Sequence, residues 1–193
     1  MNSIYYLRLK GYRMKLLVCA FVTLLCSMVL SAQNIPKPRT SPLAIISAHY
    51  KNTYLKITYG QPQKNSREIF GKLVPYDQVW RTGANEATEL TVTNDIVVNG
   101  TTLKPGTYSL FTIPGKEKWT IIFNSDLGLW GAYNYNPKMD VLRFDVPVKT
   151  IPENIIYEPF TIRIDQKTDT VELYLLWDNI QVSFPIQFTE TKP

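Results

Sequence analysis

Between Leu43 and Phe188 the chain is built from short runs in which apolar and polar residues alternate one by one. In Thr53–Tyr59, Leu55, Ile57 and Tyr59 share one side while Tyr54, Lys56 and Thr58 share the other. The same period returns where Leu142, Phe144, Val146 and Val148 alternate with Arg143 and Asp145. Phe160, Ile162 and Ile164 alternate with Thr161, Arg163 and Asp165, and Val171, Leu173, Leu175 and Trp177 with Glu172, Tyr174 and Asp178. Period two is the signature of a half-buried strand, whose successive side chains point to opposite faces. Turn chemistry separates the runs: Lys51-Asn52, Asn94-Asp95, Pro105-Gly106, Pro114-Gly115, and Asn99-Gly100, the dipeptide favoured in a type I′ hairpin. The expectation is an all-β fold over residues 43–190, one antiparallel β-sandwich or partly closed barrel of about ten strands. At most one helical turn is expected, near residues 73–79, where Pro75 could open it.

Two stretches break the alternation. Val79–Thr88 gathers Trp80, Arg81, Thr82, Asn85, Glu86 and Thr88 around a Gly83-Ala84 pivot. Leu127–Asn136 holds Trp130, Tyr133 and Tyr135 among Gly128, Gly131 and two asparagines, and rings in such a loop are rarely all core. These stretches are the candidate walls of a site.

The first residues change the charge and cysteine picture. Met14-Lys15 precedes an apolar run from Leu16 to Leu30, then Ser31-Ala32-Gln33, the layout of a secretory signal peptide cleaved after Ala32. Initiation at Met14 would suffice for such a signal. The run is shorter than the ~20 residues of a membrane span, so no transmembrane segment is expected once it is removed. The whole chain carries a net charge of +5. Arg8, Lys10, Arg13 and Lys15 lie in the signal and no acid does, so the remainder is close to neutral, with 17 basic residues against 16 acidic. Bulk basicity therefore gives no argument for a nucleic-acid partner. Both cysteines, Cys19 and Cys26, also leave with the signal, which excludes disulfides and thiol chemistry afterwards. Leu25 stands before Cys26 where a lipid-anchoring signal wants a small residue, so a lipid-anchored form is disfavoured. The expected destination is periplasmic or extracellular. Residues 33–42, with three prolines, read as an extended lead-in.

Trp80-Arg81-Thr82-Gly83-Ala84-Asn85-Glu86-Ala87-Thr88, followed by Pro105-Gly106-Thr107-Tyr108-Ser109-Leu110 and Trp130-Gly131-Ala132-Tyr133, resembles the secreted bacterial family catalogued as domain of unknown function 2911. The resemblance runs from about Ser41 to Phe188. It implies export and a β fold and no established activity. Where that family usually shows Gly-Arg ahead of Ile-Phe-Gly, this chain has Ser66-Arg67, which keeps Arg67 and questions the need for a tight glycine turn there.

Three readings of the chemistry follow from the residues. In the first, Arg81 pairs with Glu86, Asn85 bonds local backbone, Thr82 and Thr88 cap the loop, and Trp80 anchors it in the core. In the second, Arg67, Trp80, Arg81, Asn85, Glu86 and Thr88 face a ligand, with Trp130, Tyr133 and Tyr135 as an aromatic platform and Asp140 and Arg143 on a neighbouring strand. Ring faces beside planar polar groups suit sugars, so carbohydrate is the leading ligand class. In the third, Glu86 and Asp140 act as the carboxylate pair of a glycan hydrolase. No nucleophile elbow, zinc-protease helix or phosphate loop is present, and no catalytic residue is assigned. The single histidine, His49, lacks partners at ligand spacing, so neither metal nor cofactor is expected.

Overall fold

The computed structural model describes residues 38–152 and 154–189. The expected signal, residues 1–32, lies outside them, as do residues 33–37 of the lead-in. The regular structure of the described chain is almost entirely strand. In order these are β1 (Leu43–Tyr50), β2 (Thr53–Gly60), β3 (Thr88–Val92), β4 (Ile96–Val98), β5 (Thr101–Leu103), β6 (Gly106–Ile113), β7 (Lys118–Asn124), β8 (Asp140–Pro147), β9 (Lys149–Thr150), β10 (Tyr157–Lys167), β11 (Thr170–Asp178) and β12 (Ile180–Phe188). One sheet runs β1-β2-β3-β6-β7-β8. The other runs β10-β11-β12-β4-β5, with β9 also on β12. Every strand pair is antiparallel, and the sheets form a sandwich rather than a closed barrel.

The alternation in the sequence becomes the two faces of each sheet. Leu55, Ile57, Leu90, Leu110, Ile121 and Phe123 of the first sheet meet Ile162, Leu173, Val182, Phe184 and Ile186 of the second in one apolar core. At ~25 cal/mol per Å² of apolar surface removed from water, that layer is the main source of stability. The β4–β5 hairpin turns at Asn99 (φ 48°) and Gly100 (φ 76°). Both residues are left-handed, as a type I′ turn requires.

Two local details sharpen these expectations. Residues 73–79 contain turns and no helix. A 3-10 turn lies instead at Pro137–Met139, where the Asn136 side chain accepts from the Lys138 N–H. Its proline stands where a missing N–H costs nothing. Ser66 has φ 58° and follows Asn65 at φ 49°. The turn before Arg67 thus does use the left-handed conformation that glycine adopts at least cost.

One face of the first sheet carries a second small core. Phe111 on β6 and Ile122 on β7 are register partners and fully buried, although their side chains point away from the sandwich interior. Leu129, Ala132 and Tyr135 of the 127–136 stretch cover them. That loop is held down by the β-sheet it shields.

Candidate functional site

Trp80 fixes the position of the first irregular stretch. It enters through a bridge to Thr112 on β6, with Trp80 N–H to Thr112 C=O at 2.7 Å and the return bond at 2.9 Å. Its indole inserts at one end of the sandwich, stacked on Trp177 of β11 (5.8 Å, 15°) and edge-on to Phe160 of β10 (5.0 Å) and Trp119 of β7 (6.0 Å). It therefore joins the two sheets, and its Nε1–H donates to the Gly83 carbonyl at 3.1 Å.

The pivot after it is explained by backbone contact. The loop crosses the end of β2 so closely that a Cβ on Gly60 would lie 2.1 Å from the Ala84 oxygen. One on Gly83 would lie 2.9 Å from the Gly60 oxygen. The Ala84 N–H bonds the Gly60 carbonyl at 3.1 Å. Thr82 (φ 55°) and Asn85 (φ 65°) both occupy the left-handed region without being glycine. Such residues cost ~1–3 kcal/mol and persist only where their surroundings enforce them. Here Thr82 is fully buried, its hydroxyl within bonding distance of the Thr112 hydroxyl (3.1 Å), while the Thr88 hydroxyl donates to the Thr82 carbonyl at 2.7 Å.

This geometry opens a cleft of about 230 Å³ beside the motif. Pro62, Leu73, Val74, Trp80 and Trp177 give it an apolar floor, and Ser41, Arg67, Arg81 and Asn85 a polar rim. No aspartate or glutamate lines it. Arg81 is its least satisfied group. The Nε–H is sealed from solvent without a hydrogen-bond partner, and among the described residues the guanidinium has no ion pair. Burial pulls its pKa down, with the nearby Tyr133 opposing. An unmet buried donor costs ~1–3 kcal/mol. Arg67 is exposed and spends its Nε–H on the Lys64 carbonyl at 2.9 Å and one Nη on the Gln63 carbonyl.

The expected Arg81–Glu86 pair does not form. Glu86 instead receives both arms of Arg39, at 2.7 and 2.8 Å, and these bonds hold its carboxyl below the usual range. The lead-in hid this partner, which lies 47 residues away in sequence. Residues 39–42 of the Pro-rich stretch are also tied to the sandwich by Gln61 N–H to Pro42 C=O at 2.8 Å. The Asn85 amide reaches the Ser41 carbonyl at 3.5 Å.

The second irregular stretch divides. Its first half runs beside the motif, with Ala87 N–H to Leu129 C=O at 2.8 Å and Gly131 N–H to Asn85 C=O at 2.9 Å. This presents Trp130 (60% exposed) and Tyr133 (83% exposed) to solvent near Arg81, whose Nη1 lies 3.7 Å from where a Cβ on Gly131 would sit. Its second half joins another group. The Tyr135 hydroxyl donates to Asp140 at 2.6 Å, Asn124 donates to the other Asp140 oxygen at 2.8 Å, and Arg143 lies 3.5 Å from both Asp140 and Tyr135. Burial, then Asp140, push the Tyr135 pKa up to about 12.

Of the sequence candidates, Arg67, Trp80, Arg81 and Asn85 line one cleft. Trp130 and Tyr133 lie beyond its rim, and Glu86 is occupied by Arg39. Thr88 is a buried brace, 0% exposed. Tyr135, Asp140 and Arg143 form a self-bonded cluster and do not line the cleft. Sequence reasoning missed Arg39, Ser41 and Trp177. Arg39 and Ser41 carried no signal inside a proline-rich run, and Trp177 read as ordinary strand. Two larger depressions, about 350 Å³ around Tyr76 and Lys116 and about 310 Å³ around Asp165 and Tyr174, contain none of the candidates. One charge in each is paired locally: Lys118 by Asp145 and Asp165 by Arg163. Among the described residues no three His, Cys, Asp or Glu come together as a metal site would require, and no helix is long and apolar enough to cross a membrane.

Fold and site together define a two-sheet β-sandwich with an arginine-rimmed cleft at one end. Over residues 41–186 the chain matches the family described as protein of unknown function (DUF2911), and it belongs to that family. No curated protein and no solved structure matches it.

Proposed function

We propose that the protein is an exported binding module whose end cleft, rimmed by Arg67, Arg81 and Asn85, holds a small polar ligand, with carbohydrate the leading class. The observation that carries this is the half-buried Arg81 guanidinium, short of a partner where the other buried side-chain polar atoms among the described residues are satisfied. Binding sites of this kind pair apolar walls with a few placed polar groups. At about 230 Å³ the cleft suits one ring rather than a long chain. Trp130 and Tyr133 add two open ring faces beside it, on which further sugar units could stack. Glu86 and Asp140 both have their oxygens engaged and neither lines the cleft, so nothing favours the hydrolytic reading.

The test is a glycan-array and thermal-shift screen of the purified protein beside Arg81→Ala and Asn85→Ala. A saccharide that raises the melting temperature of the wild type and of neither variant supports the reading. Equal responses in all three, or no response in any, would remove it.

A further inference from the structure

We infer that the saccharide taken by this cleft is an acidic one, presenting a uronate-type carboxylate to Arg81 with Arg67 as the second cation. This rests on the binding reading above and names the charge of the ligand. What supports it is which charges around the cleft are already met. Of the acids nearby, Glu86 takes both arms of Arg39, and Asp178 accepts from Lys64 at 2.8 Å. Glu158 accepts from the Asn65 N–H. The two arginines that line the cleft pair with no acid among the described residues: Arg67 donates only to carbonyls, and Arg81 has an orphaned Nε–H. Two cations beside an apolar floor, with no carboxylate in the lining, form a site of positive potential.

The shape of the donors selects among anions. A guanidinium is planar and offers parallel N–H groups that match the two oxygens of a carboxylate. Asn85 lies on the same rim and can serve a ring hydroxyl through its amide. A neutral sugar would leave the guanidinium without a counter-charge, whereas a uronate supplies charge and hydroxyls on one ring. The pairing of Glu86 with Arg39 matters here as well. An unpaired carboxylate next to Asn85 would repel an acidic ligand, and Arg39 cancels that charge.

The discriminating experiment is calorimetric titration of the whole protein with oligogalacturonate, with the same oligomer as its methyl ester, and with glutarate as a carboxylate that is not a sugar. The expected result is that the acid binds about tenfold to a hundredfold more tightly than the ester, the range for hydrogen bonds to a charged partner. That advantage should shrink as salt rises and be largely lost in Arg81→Ala. Arg81→Lys keeps the charge without the fork and should recover only part of it. Acid and ester binding equally would overturn the acidic ligand while leaving the carbohydrate reading intact. Glutarate matching the oligogalacturonate would overturn the uronate and the sugar reading together, leaving a carboxylate site. Absence of binding by all three would overturn the inference and count against the cleft itself.

Discussion

The two stretches that interrupt the strands contain the same ingredients, rings beside charged and amide groups, yet the fold brings them to different ends. Around Tyr135 every member of the group is answered: the phenol and Asn124 donate to Asp140, Arg143 sits against both Asp140 and Tyr135, and the Tyr135 ring lies on Phe111 at 5.1 Å. Around Arg81 the apolar half is just as tightly packed, but the guanidinium is left over. Composition made the two look like walls of one site. Hydrogen-bond satisfaction separates them, because a closed polar cluster braces a loop whereas an open one has capacity for something else.

The largest expected effect tests the apolar half of the comparison. Trp80→Ala removes the ring that joins both sheets and should cost ~3–5 kcal/mol, read as a lowered denaturant midpoint and a melting temperature down by on the order of 10 °C. A midpoint within error of wild type would mean that Trp80 does not anchor this end.

Next comes Gly60→Ala. Its Cβ would meet backbone rather than a side chain that can move, 2.1 Å from the Ala84 oxygen. Overpacking of this kind costs ~1–3 kcal/mol, and here the strain falls on the loop that shapes the cleft. The variant should lose stability and ligand response together, whereas Gly128→Ala, whose Cβ would meet no atom within 4 Å, should leave the cleft unchanged despite the strain of φ 68°. Loss of ligand response in both variants would show that glycine contacts are not what sets the cleft.

Tyr135→Phe probes the satisfied side. Removing one hydroxyl from a hydrogen-bonded group costs ~0.5–1.5 kcal/mol, and the ligand response should not change. The pH dependence has a definite sign. The folded pKa of about 12 lies above the ordinary 10.0, so the protonated phenol contributes stability that is fully present below pH 10.0 and is lost as pH rises through about 12. Denaturation midpoints followed over that interval should fall more steeply in wild type than in Tyr135→Phe. Parallel curves would mean that the phenol is not held by the cluster.

These contrasts also show what the sequence could convey. Strands were legible because burial on one face imposes period two, and the I′ hairpin because Asn99-Gly100 tolerates two left-handed residues. The loop over the second core was not, although a trace of it was present. Leu110-Phe111 and Ile121-Ile122-Phe123 are contiguous apolar runs, the mark of strands covered on both faces. Taken seriously, they call for a cover, and Leu129, Ala132 and Tyr135 supply it. Trp80, Arg81 and Asn85 were found by their contrast with the strands around them. The choice of partner for Glu86 was illegible because Arg81 and Arg39 are equally charged, and only the folded path of the lead-in decides between them.

Arg39→Ala is accordingly the smallest expected effect on stability and the sharpest test of the cleft's electrostatics. The side chains of Arg39 and Glu86 are both exposed at the surface. Solvent and salt therefore screen the pair, and the melting temperature at neutral pH should barely move. The ionisation of Glu86 should move instead. Its folded pKa is depressed by Arg39, so its contribution to stability is present above the ordinary carboxylate value and is lost as pH falls through the folded one. Without Arg39, that acid-side loss should shrink and the Glu86 carboxyl should titrate higher than in wild type, as carbon-detected NMR would report. The freed negative charge beside Asn85 should also weaken an acidic ligand more than its neutral ester. If acid and ester weaken equally, Arg39 acts by holding residues 39–42 and Ser41 at the rim, and the positive character of the cleft comes from Arg67 and Arg81 alone.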